Sequence, residues 1–182
     1  MLTARTLAEG QVYVALMAAA EPPDADAVPE PAVAGEQAWT LAYGDIRVEV
    51  PFASEQVSRR AGARYGLGAS QLVDAGQWSQ VAASYARRAF DADMSLDPVA
   101  PSAEQVRRVD QLWAAAADAV REVLKFLPEG AGEVPAEAFW SELGQRLHAG
   151  EPERFTRDKL LDDLEYYQGT LDDFRALHGT RG

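Results

Sequence analysis

The sequence predicts an α+β fold, predominantly α-helical, in a single domain with one β-hairpin packed against four or five helices. Three observations carry this expectation. A hydroxyl or carboxylate residue followed three positions later by Glu or Gln stands ahead of helical apolar spacing at Thr6/Glu9, Asp74/Gln77 and Ser102/Gln105, the pattern of a capping box. One segment, "AWTLAYGDIRVEVPF", alternates on either side of a Gly-Asp pair as two paired strands do. The chain has 182 residues, 47% of them apolar, enough for one core. At this length folding buries roughly 70% of the surface that the unfolded chain exposes.

Thr6 and Glu9 open a first helix over about residues 7–20, the Thr oxygen accepting from an early N–H and the Glu reaching back to the cap N–H. Leu7, Val14 and Met17 share its apolar face, and Gly10 inside it costs about 1 kcal/mol relative to Ala. The next stretch, "EPPDADAVPEPAVAGEQ", holds four prolines and no aromatic residue. It buries too little surface to offset its ordering entropy, so a mobile Pro/Ala/acidic loop is expected at about 21–37.

In the hairpin, Gly44 supplies the positive φ of a two-residue turn before Asp45. Tyr43 then opposes Ile46, Leu41 opposes Val48 and Trp39 opposes Val50, with all six on one face. Thr40, Ala42, Arg47 and Glu49 fall on the other, so a single register serves both turn and burial. Beyond it, Asp74 and Gln77 cap a helix that turns Trp78, Val81, Ala82 and Tyr85 inward. Ser102 and Gln105 cap the longest helix, about residues 103–127, with Val106, Val109, Trp113, Ala116, Val120, Val123 and Leu127 along one side. It is expected to be the central spine. Pro135 suits the first position of a further helix, "PAEAFWSELGQRLHAG". Thr156 caps the last, with Phe155 and Leu160 as a hydrophobic staple and Leu161, Leu164, Tyr167, Leu171 and Phe174 pointing inward to about Leu177.

The 17 Lys+Arg against 29 Asp+Glu give a net charge of −12, which repels nucleic acid and anionic membrane surfaces and favours a basic protein partner. No apolar run is long enough for a membrane span. With no cysteine, disulfides, thiolate nucleophiles and Cys-based zinc sites are excluded. Glu9, Gly10 and Gln11 interrupt the apolar stretch near the N-terminus, so it reads as a helix and not a secretion signal, and the protein as cytoplasmic.

Two segments stand out as candidate sites. "RRAGARYGLGAS", residues 59–70, sets three arginines among three glycines in the one neutral segment of the chain, residues 53–100. Converging backbone N–H groups, a serine starting a helix, and Arg59, Arg60 and Arg64 would together suit a phosphate or other anion, with Ser70 at the helix start. The segment lacks the Lys-Ser/Thr ending of a P-loop, and a turn into a capped helix is the competing and preferred reading. On the last helix Asp158, Asp162 and Glu165 recur at i, i+4 and i+7, with Asp172 further along. They form a solvated row or a contact surface for a basic partner. His148 and His178 sit near helix ends and fit no metal-ligand spacing, and no G-x-S-x-G elbow surrounds a serine, so neither a catalytic residue, a metal site nor a cofactor is assigned.

The runs "LTARTLAEGQVYVAL", "GASQLVDAGQWSQVAASYA" and "EVLKFLPEGAGEVPAEAFWSEL" resemble a poorly characterised family of actinobacterial and myxobacterial proteins. The resemblance implies relatives with cysteine pairs near the hairpin, as in a zinc-ribbon-like strand pair; here aromatic and aliphatic packing takes that place. It transfers no activity, and it implies proximity to secreted toxin systems. The expectation is therefore a non-enzymatic acidic protein-binding module, an immunity or antitoxin-type inhibitor of a basic partner such as a toxin. The alternatives are an adaptor or chaperone of a secretion or injection assembly, and a small-anion or nucleotide-binding sensor or enzyme using residues 59–70.

Overall fold

The computed structural model describes residues 2–24 and 33–179. The chain runs β1 (Leu2–Thr3), α1 (Leu7–Met17), β2 (Val33–Ala34), β3 (Ala38–Tyr43), β4 (Ile46–Pro51), α2 (Phe52–Arg60), α3 (Ala75–Met94), α4 (Ala103–Leu124), α5 (Glu142–Gly150) and α6 (Arg157–His178). A predominantly helical α+β domain is what the sequence led us to expect.

Gly44, at φ 54°, turns β3 into β4, and the pairs Trp39/Val50, Leu41/Val48 and Tyr43/Ile46 form in the predicted register. Leu41, Val48 and Val50 are buried, whereas Tyr43 at the turn end of the same face is 44% exposed. The hairpin does not stand alone. β1 adds parallel to β4 and β2 antiparallel to β3, giving the order β1-β4-β3-β2.

α1 lies across the buried face of this sheet. Gly10 is needed there: a Cβ at that position would come within 2.5 Å of Leu41 Cδ1. The face also differs from the predicted one, since Glu9, Gly10 and Val12 are buried while Met17 is 40% exposed. α1 stops three residues earlier than expected. Ala19 takes the left-handed conformation at φ 50°, and the N–H groups of Ala19 and Ala20 donate to Leu16 O (3.2 Å) and Ala15 O (2.9 Å), closing the helix as a Schellman motif.

The expected mobile loop at 21–37 is ordered at both described ends, and residues 25–32 lie outside the described residues. Glu21 bonds to Ser84 and Arg87, the Pro23 carbonyl accepts from the Tyr85 hydroxyl at 2.7 Å, and Asp24 pairs with Arg88. Four residues of α3, Ser84, Tyr85, Arg87 and Arg88, thus hold a segment whose composition alone suggested freedom.

Both Asp74 and Ser102 form complete capping boxes, with Gln77 and Gln105. Trp78, Val81, Ala82 and Tyr85 are buried, as are Val106, Val109, Trp113, Ala116, Val120 and Val123 on α4. α4 packs most heavily on α3 and next on α6, the central position its length predicted. Pro135 does not open a long helix. It precedes only a 3-10 turn, Ala136–Ala138, and α5 starts later, capped by Ser141, whose Oγ accepts from Gly144 N–H at 2.9 Å. Thr156 caps α6 with Phe155 and Leu160 both buried, but Leu161, expected inward, is 46% exposed.

Candidate functional site

The arginine-glycine segment begins inside a helix that the sequence did not reveal. Arg59 and Arg60 end α2, where cations face the negative end of the helix dipole. Gly62, Gly66 and Gly68 follow at φ 66°, 113° and 69°, and the chain needs them to double back over the start of α1. A Cβ on Gly66 would lie 2.4 Å from Arg5 Cβ.

Two carbonyls of this winding accept from cations packed beside it. Arg5 Nη1 donates to the Gly68 carbonyl, and Lys125 Nζ to the Gly66 carbonyl at 2.7 Å. The curl receives cations, the reverse of an anion cradle. Ser70 does not start a helix either; α3 begins at Ala75. Its hydroxyl accepts from Leu72 and Val73 N–H at 3.1 and 2.9 Å and donates to Glu9 Oε1 at 2.5 Å, all of it buried. Arg64 pairs with Asp118 at 2.8 Å. The predicted anion set is therefore split, with Arg64 and Ser70 committed to structure and Arg59 and Arg60 left at the surface.

At the centre of the winding lies a charged cluster that no motif announced. Arg5 Nη2 contacts Glu9 Oε1 at 2.7 Å and Glu122 Oε2 at 2.8 Å, and Glu122 also pairs with Lys125. The two carboxylate side chains are 1% and 4% exposed. Glu9 does not complete the expected capping box on Thr6. Its carboxylate takes the N–H of Arg5 at 2.6 Å, one residue earlier, while Thr6 Oγ1 still caps Glu9 N–H at 3.1 Å. Burial opposes the Arg5 charge, but hydrogen bonds and charge from Glu9 and Glu122 raise its pKa overall. For Glu122 burial wins, and its carboxyl is raised despite Lys125 and Arg5. The i, i+4 spacing of Arg5 and Glu9 was the only local signal; Glu122 arrives from 117 residues away.

The acidic row on α6 is where the sequence placed it. Asp158, Asp162, Glu165 and Asp172 are all exposed. The side chains of the first three make no hydrogen bond or ion pair with any described residue, and Asp172 accepts from Gln168 Nε2 at 3.1 Å. Leu161 and Tyr166, 46% and 61% exposed, stand among them. Tyr166 rests edge-on against the buried Trp113 at 6.4 Å between ring centroids, which holds the outward ring in place.

The histidines are packing residues: His148 stacks on Phe139 at 4.2 Å and His178 lies against Phe174 at 4.4 Å. Among the described residues no three His, Asp or Glu come together in a way that could hold a metal ion, and no helix is long and apolar enough to cross a membrane. Compared with known protein families, with curated proteins and with solved structures, the chain matches none of them.

Proposed function

We propose that the chain is a non-catalytic binding module acting in the cytoplasm, whose acidic α6 face covers a basic surface of another protein, as an immunity protein or antitoxin covers a toxin. The observation that carries this reading is the unpaired state of Asp158, Asp162 and Glu165 beside the exposed Leu161 and Tyr166. Other carboxylates of this chain are taken up by its own cations, as in Arg64–Asp118 and Arg175–Asp110 and, on α6 itself, Lys159–Asp163. Charges without internal partners attract a cationic surface during diffusion, and a half-exposed aromatic ring gives such an encounter an apolar anchor. The net charge of −12 acts in the same direction over longer range.

The test is affinity capture from the native lysate, followed by measured affinity for the purified partner. A basic, stoichiometric protein that dissociates at high salt, and whose affinity falls roughly tenfold or more for the Asp158→Asn/Asp162→Asn/Glu165→Gln triple variant, supports the reading. Unchanged affinity of that variant removes α6 as the interface. A partner that binds through α6 with its own activity intact replaces inhibition by an assembly-adaptor role.

A further inference from the structure

The two arginines left over from the predicted anion set adjoin a groove that the acidic face does not use. Arg59 and Arg60 line a cavity of about 680 Å³ together with Trp39, Phe52, Glu55 and Gln56. That volume is ample for a small ligand. Trp39 and Phe52 meet edge to face, 4.3 Å between centroids at 73°, so each ring fixes the other while both remain part of the wall. The Arg60 side chain makes no hydrogen bond or ion pair with a described residue, and that of Arg59, 77% exposed, has only a 3.3 Å contact with Glu55. Glu55, the one carboxylate among the described residues lining the groove, divides its oxygens: Oε2 accepts from Leu7 N–H at 2.8 Å, at the positive end of α1, while Oε1 makes the 3.3 Å contact with Arg59.

A favourable helix-end dipole accounts for the two cations at the end of α2; beside them Trp39, which also packs on the core, and Phe52 form an aromatic part of the groove wall. Guanidinium groups with free donors bind phosphate in a forked geometry, and aromatic walls hold a flat ring by stacking. We propose that this groove binds a small aromatic phosphate, its ring against Trp39 and Phe52 and its phosphate across Arg59 and Arg60. The ligand is small because a polyanion would meet the repulsion of a chain carrying −12. This inference is independent of the α6 reading.

Two-dimensional 1H–15N NMR of the full chain tests it, with adenosine 5′-monophosphate and phenyl phosphate as probes and adenosine and inorganic phosphate as half-ligands. The expected result is saturable shifts at the Trp39 indole N–H and at the amides of Phe52, Gln56, Arg59 and Arg60, with both probes bound more tightly than either half-ligand. Arg59→Gln/Arg60→Gln should weaken the probes about tenfold and leave adenosine unchanged. Phe52→Leu should weaken adenosine and the monophosphate alike. Absence of saturable shifts at this groove with both probes, or unaltered binding by the double arginine variant whose spectrum shows it folded, overturns the proposal.

Discussion

Arg5 stands between two carboxylates that have almost no contact with water, so its removal leaves two buried charges with Lys125 as their remaining cation. Breaking a buried pair in this way costs about 3–5 kcal/mol, and Arg5→Met is expected to lose that much in urea unfolding at neutral pH. The pH dependence follows from burial, which already raises the Glu122 carboxyl. A carboxyl raised in the folded state binds protons more readily there, so the deficit is largest above its folded pKa and shrinks as pH falls toward the unfolded value. A deficit independent of pH would show that Glu122 is not the group left uncompensated. The neighbouring glycines separate two kinds of strain. Gly62 at φ 66° has open space where a Cβ would go, so Gly62→Ala pays only the left-handed backbone, about 1 kcal/mol. Gly66→Ala adds a collision with Arg5 and should cost more than twice as much in thermal unfolding.

Helix starts were readable wherever the cap and its third residue lie in one short run: Asp74/Gln77 and Ser102/Gln105 close their boxes as expected. The hairpin was readable for the same reason, its register being set by Gly44 and by alternation. α2 was not, because it has no side-chain cap at Pro51 and its one buried residue, Ser58, is polar, so no run of inward apolar residues marks it. Pro135 misled because a proline permits a helix start without requiring one, and Ser141 offered the better cap. The contact of α3 with α5 was equally hidden. A Cβ on Gly76 would come 2.4 Å from Gly144 Cα, and one on Gly144 would come 2.3 Å from Asp74 Oδ2. Propensity alone would make Gly144→Ala favourable by up to about 1 kcal/mol. We expect it instead to destabilise by about 2 kcal/mol, measured by thermal unfolding, because the helices must separate or Asp74 must abandon its bonds.

Stability is unevenly distributed across the fold. α4 lies between α3 and α6, and Ala115, Ala116, Ala117 and Ala119 on it are all at 0% exposure, small side chains that let the neighbouring helices approach closely. Amides of residues 115–120 should exchange with solvent only through global unfolding, whereas those of β1 and β2, two residues each at the sheet edges, should exchange through local opening. Native-state hydrogen exchange under increasing denaturant distinguishes the two classes, and equal protection would refute the division. The acidic row on α6 was legible because it depends on helical spacing alone. The groove by Trp39 and Phe52 was not, since β3 and α2 must first be brought together by the hairpin and then by Pro51.

Asp74 has two oxygens and spends them on two helices: Oδ1 accepts from Gln77 N–H at 2.8 Å at the start of α3, and Oδ2 accepts from Ser141 N–H at 2.7 Å at the start of α5. The residue is fully buried, so neither amide has water waiting as a substitute. A joint of this kind has no half-open position. Detaching α5 strands a carboxylate oxygen inside the protein and loosens α3 at the same moment, which binds the C-terminal third of the chain to the helix layer as one cooperative unit.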